Sequence, residues 1–228
     1  MTALGWLIVW SVAFAATHLL MSHPLRAPMV RVLGEKGFSA VYSIISLVTL
    51  VMAARSYGPA QIDAAWQWSI PMWLWGVGSL LMWIGSIWFV GSLVKNPALP
   101  HPDADAYASR PATGVFATTR HPMMWGFALW GITHILVNPT WPSIVLSLSI
   151  IVTALGGAYG QDIKKRRMMG EAWSDWEART SFLPFARGFH PMGVFALLGG
   201  TALFLLATYA HGWLGRAPVG LWTWINPF

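Results

Sequence analysis

Hydrophobic and polar positions along this 228-residue chain fall into long blocks rather than a short-period alternation. Apolar stretches over residues 3–22, 38–54, 70–94, 121–137, 142–160 and 192–210 are separated by short segments that hold nearly all the charge. Blocks of roughly 20 apolar residues can cross about 30 Å of hydrocarbon as helices. The pattern therefore predicts an all-α, polytopic membrane protein with about six transmembrane helices. The third block is longer than a bilayer needs, which calls for tilt or an interfacial end. Trp66, Trp68, Trp73 and Trp75 stand at its start as an aromatic belt would. The first block has no basic leader and reads as a span, not a cleavable signal. Segment 162–179, with Trp173 and Trp176 among charged residues, reads as an amphipathic helix lying at the cytoplasmic interface. Segment 95–120, with Pro97, Pro100, Pro102 and Pro111, reads as irregular chain. Nothing is composed like a separate soluble domain, so 1–228 reads as one membrane domain.

Charge then sets an orientation. Segment 23–37 holds Arg26, Arg31 and Lys36; segment 95–120 holds Lys95, Arg110 and Arg120; segment 161–191 holds Lys164, Lys165, Arg166, Arg167, Arg179 and Arg187. Only Arg55 and Arg216 of the 14 Lys and Arg residues fall on the other side. The positive-inside rule places the three basic segments in the cytoplasm and both termini on the periplasmic side of a bacterial inner membrane. That retention accounts for the net charge of +6 without a nucleic-acid partner; the partner implied is the lipid bilayer. With no Cys in the chain, iron–sulfur, thiolate-zinc and cysteine-nucleophile chemistry are excluded.

Ionisable groups inside a bilayer are functional candidates by default. His18 and His134 are the two that lie well inside the predicted spans, in matching contexts. Phe14-Ala15-Ala16-Thr17-His18-Leu19-Leu20 echoes Trp130-Gly131-Ile132-Thr133-His134-Ile135-Leu136. If the echo marks a repeat of spans one to three and four to six, the repeat is inverted. Ala15 and Gly131, three residues before each histidine, share its helical face and leave space for a planar ligand or for close helix packing. A neutral imidazole suits transition-metal ligation, and without Cys a haem iron is the natural candidate; hydrogen bonding across helices is the competing reading. Arg120 and His121, ahead of Pro122 at the start of span four, could hold an anion there or simply cap the helix. His23, His101 and His190, each before a proline, read as boundary residues, and His211 as an interfacial helix end.

The runs Thr17-His18-Leu19-Leu20, Leu33-Gly34-Glu35-Lys36-Gly37-Phe38, Tyr42-Ser43, Arg120-His121-Pro122-Met123-Met124-Trp125-Gly126 and Leu129-Trp130-Gly131-Ile132-Thr133-His134 resemble the NnrU family over roughly 3–186, with the last span, 192–210, outside the match. The resemblance implies a role in nitric oxide and nitrite metabolism of denitrifying bacteria, with membrane partners of nitrogen-oxide respiration. It also implies kinship with plant zeta-carotene isomerase, a haem b enzyme. That enzyme's two haem-associated histidines fall on His18 and His134, and its redox-switching cysteine falls on Gly131, so the ligand switch is absent here. A second resemblance, carried by Arg120-His121-Pro122 and by Gly170-Glu171-Ala172-Trp173-Ser174-Asp175-Trp176-Glu177, is to membrane methyltransferases that bind S-adenosylmethionine. A non-catalytic assembly protein is the third alternative. Helix rise puts His18 and His134 about 15 Å apart in depth, where two axial imidazoles want Cα atoms about 12 Å apart, and His18 and His121 only about 5 Å apart; His121 is therefore the substitute ligand.

Overall fold

The computed structural model describes residues 1–213 and 218–225; Arg216, counted above with the opposite-side cations, lies outside them. Its helices are α1 (Ala3–Ser22), α2 (Arg26–Gln61), α3 (Met72–Gly91), α4 (Ala104–Ala108), α5 (Val115–Thr118), α6 (Pro122–Val137), α7 (Trp141–Met169), α8 (Glu171–Arg179), α9 (Val194–Trp213) and α10 (Trp222–Ile225). No strand forms among the described residues, only an isolated bridge between Trp66 and Thr140. α1, α2, α3, α7 and α9 are long and apolar enough to cross a membrane, and α6 is a shorter apolar helix of 16 residues. The all-α polytopic architecture expected from the apolar blocks is the one observed.

Three local readings need correction. The segment expected to be loop up to Gly37 is helical from Arg26 and breaks only at Gly34, whose φ of 68° and ψ of 169° turn the chain without a Cβ penalty. The segment between α3 and α6 is not wholly irregular, because α4 and α5 form there and bury Ala104, Ala108, Val115 and Phe116. α7 does not stop at Gly160. It continues to Met169 and ends at Gly170, φ 55°, which divides the amphipathic helix expected over 162–179. The remaining amphipathic piece, α8, turns its apolar face to protein instead of lipid. Trp173 and Trp176, one turn apart, are 0% and 2% exposed and join Ile87, Trp88, Val115 and Phe116 in one core.

Across the bundle the principal packed neighbours run α2–α1–α7–α6–α3–α9. Glycines allow the tightest of these contacts. A Cβ on Gly126 of α6 would sit 2.9 Å from the Gly85 carbonyl oxygen of α3, and one on Gly200 of α9 would meet the Ile87 backbone of α3. An inverted repeat would exchange α1, α2, α3 with α6, α7, α9. It would turn the α1–α7 neighbours into α6–α2, which are not among the principal packed pairs. The short sequence echo is thus not an echo of packing.

The three basic segments meet at one end. There the buried Lys165 ammonium donates to the carbonyl oxygens of Pro97, at 2.8 Å, and Leu99, at 3.3 Å, while Gln161 Nε2 donates to the Ala98 carbonyl at 2.9 Å. At the opposite end Asn138 Nδ2 donates to Tyr57 Oη at 3.0 Å and Trp68 Nε1 to the Leu136 carbonyl at 3.2 Å, tying the 62–71 connection to the end of α6.

Candidate functional site

At the basic end, Thr119 is extended and Pro122 occupies the first turn of α6, so Arg120 and His121 project at the helix entrance. The Arg120 amide donates to the Ser181 carbonyl at 2.8 Å and the Thr119 hydroxyl to the Phe182 carbonyl at 2.8 Å, fixing that entrance against the chain after α8. Asp162, carried inward by the uninterrupted α7, faces both side chains. Arg120 donates to its carboxylate from Nε at 3.0 and 3.1 Å and from Nη2 at 2.5 Å, and His121 Nε2 lies 2.7 Å from Oδ1. Side-chain exposure is 11% for Arg120, 1% for His121 and 3% for Asp162. Glu177 of α8 adds a contact to Arg120 at 3.4 Å and accepts from Arg166 at 2.5 and 2.8 Å.

This arrangement decides the reading of Arg120 and His121. The position an incoming anion would take is filled by the chain's own carboxylate. Neither residue lines the two principal cavities. The pair staples α6, α7 and α8 together, and an S-adenosylmethionine contact from Arg120 and His121 would have to displace Asp162. The sequence reading aligned Gln161-Asp162 with the paired carboxylates of the methyltransferases but did not pair Asp162 with Arg120 and His121, because α7 was ended two residues before it. The signal was an acidic residue continuing a helix opposite two neighbouring cation-capable side chains that needed a counter-charge.

His18 and His134 go to different places. His18 faces α2: its Nε2 lies 2.6 Å from Tyr42 Oη and its Nδ1 3.3 Å from Ser46 Oγ, with the Phe14 ring at 5.5 Å. Both nitrogens are engaged. His134 lies across the bundle, its ring stacked on Trp130 at 4.0 Å with an interplanar angle of 30°. Its Nδ1 sits 2.7 Å from the Trp130 carbonyl oxygen; a carbonyl only accepts, so Nδ1 carries the proton and Nε2 keeps its lone pair. Nε2 makes no hydrogen bond among the described residues. The structure does not bring His18 and His134 to one cavity. Gly131 leaves no room for a planar guest either: a Cβ there would lie 2.6 Å from Ile151 Cγ1 and 2.9 Å from the Ser147 carbonyl oxygen of α7. Of the two uses expected for this small residue, helix packing is the one observed. Ala15 is half-buried on α1 and lines neither principal cavity.

His134 opens instead into a cavity of about 580 Å³ at the end opposite the basic segments. The size falls within the range of about 300–1,000 Å³ typical of small-molecule and cofactor sites. Its walls come from the ends of α2, α6 and α9 and the starts of α3 and α7, with Tyr57, Trp75, Trp130, Phe204 and Thr208 among them. Residues 218–225 close one side, where Gly220, φ 63°, packs on Thr208 and Trp222 Nε1 donates to Thr208 Oγ1 at 3.1 Å. His211 of α9 also lines this cavity. Its ring centroid is 6.5 Å from that of His134, and its Nδ1 donates to the Ala207 carbonyl at 2.8 Å. Sequence reasoning placed His211 at the interface, and nothing in the sequence set it beside His134.

A protein of Zea mays named 15-cis-zeta-carotene isomerase, chloroplastic, is 26% identical over 187 residues, covering 79% of this chain and 49% of its own length. The protein of that name from Arabidopsis thaliana is 26% identical over 163 residues, covering 68% of this chain and 43% of its own. The chain thus spans about half the length of the curated relatives it matches. No solved structure matches it significantly. The family model described as NnrU protein matches residues 6–219, taking in α9 as well as the spans before it, and the chain belongs to the NnrU family.

Proposed function

We propose that this chain binds haem b in the cavity beside His134 and works in nitrogen-oxide metabolism at a bacterial inner membrane. The observation that carries the reading is the unpartnered Nε2 of His134, aimed from a ring whose tautomer and orientation are already fixed. A metal-ligating imidazole ordinarily donates its other N–H to a carbonyl or carboxylate, which orients the ring and raises its basicity; the Trp130 carbonyl does that here. Stacking on Trp130 removes the remaining freedom of the ring. Haem b would supply an iron able to exchange an electron. The chain's own part is to hold that iron and to exclude bulk water with aromatic walls. With the basic segments in the cytoplasm, the cavity lies toward the periplasmic side.

His18 does not fit as the opposite ligand, since Tyr42 and Ser46 occupy both of its nitrogens. Nor is isomerisation through a cysteine-for-histidine switch proposed, because Gly131 sits where α7 leaves no space for a side chain. Protein expressed with ample haem supply and purified in detergent should carry a Soret band. His134→Ala should abolish or shift it and His18→Ala should leave it in place. Absence of the band from the wild-type protein would overturn the reading, and its loss in His18→Ala alone would return the site to α1.

A further inference from the structure

The cavity holds a second imidazole. We propose that His211 is the second residue that would hold the iron, so that His134 of α6 and His211 of α9 would together form the ligand pair. The inference rests on the haem reading above and specifies its ligand set. An iron–nitrogen bond of about 2.0 Å, plus about 1.1 Å from ring nitrogen to ring centre, separates the centroids of two trans imidazoles by about 6.2 Å. The centroids of His134 and His211 are 6.5 Å apart, with ring planes at 32°. The two rings are also prepared alike. Each has Nδ1 donating to the carbonyl four residues earlier, Trp130 for one and Ala207 for the other, which leaves Nε2 as the lone-pair nitrogen on both. Both line the same cavity. α6 and α9 are not principal packed neighbours; each packs on α3. The space between their far ends is therefore bounded by α3 and by the residues folded back over Thr208.

The experiment is the electronic absorption and electron paramagnetic resonance spectrum of ferric protein purified after haem-supplied expression. Two strong imidazole ligands give a six-coordinate, low-spin iron. His211→Ala should convert it to a high-spin signal with the Soret band retained, and added imidazole should restore the low-spin form. His211→Gln provides a second variant that keeps a polar side chain at the helix end. Low-spin haem that is unchanged in both His211 variants would overturn this assignment while leaving haem on His134. A wild-type protein that takes up no haem but binds zinc or copper at the same two residues would overturn the haem reading itself.

Discussion

Replacing Asp162 by Asn keeps the shape of the side chain and removes its charge. In the native arrangement one carboxylate, 3% exposed, accepts from Arg120 Nε and Nη2 and pairs with His121 Nε2. Breaking a buried ion pair by neutralising one partner ordinarily costs about 3–5 kcal/mol, because the remaining charge is left without compensation. Arg120 here keeps a second, longer contact to Glu177 at 3.4 Å. The loss should therefore lie near the lower end, about 3 kcal/mol. For a chain of this size each kcal/mol moves the melting temperature by about 2–4 °C, so D162N should melt about 6–12 °C lower. The assay is thermal unfolding of the detergent-solubilised protein, followed by tryptophan fluorescence, since the Trp173 ring centroid lies 6.4 Å from that of His121 and reports on the staple. Arg120→Ala in the D162N background should add much less than it does alone, as expected for side chains that share one interaction. A melting point within 1 °C of wild type, or fully additive losses, would refute the staple and reopen Arg120 and His121 as ligand-binding groups.

Other expected outcomes follow from the packing. Gly131→Ala places a Cβ against Ile151 and the Ser147 carbonyl and should destabilise by about 1–3 kcal/mol, measured as a lower melting point. Trp173→Ala empties a fully buried position, costs about 3–5 kcal/mol, and should make the chain around α8 newly sensitive to limited proteolysis. His23 packs on Gly160; burial, and then the Lys164 ammonium nearby, hold its pKa below the ordinary 6.5. The folded state thus resists protonation there more than the unfolded chain does. The contribution of this residue is present above pH 6.5 and lost as the pH falls below it, so melting temperature should decline on acidification, and less so in His23→Gln.

Much of the molecule was legible in the chain because a bilayer imposes its demands locally. Each span must satisfy its backbone hydrogen bonds within its own helix and present apolar side chains to lipid over a fixed thickness. Runs of composition therefore marked α1, α3, α6, α7 and α9 to within a few residues, apart from the extension of α7. Helix ends were read less well where a single residue decides them. Gly34 and Gly170 break helices by backbone conformation, and neither interrupts the hydropathy pattern in a way that locates the break. Trp173 and Trp176 looked like interfacial residues because their sequence neighbours are charged, yet the surface they cover belongs to α3 and α5.

The sequence by itself determined the material of the sites: imidazoles at 18 and 134 inside apolar spans and at 211 at a helix end, a carboxylate at 162, the Arg120-His121 pair, and no thiol anywhere. Only tertiary structure decided which of these meet. Side-chain partners across a helical bundle depend on the order in which helices pack and on rotation about each axis, and hydropathy blocks encode neither. Placing α2 beside α1 gave His18 to Tyr42, placing α6 and α9 on either side of α3 gave His134 to His211, and a helix that ran on past Gly160 gave Asp162 to Arg120 and His121.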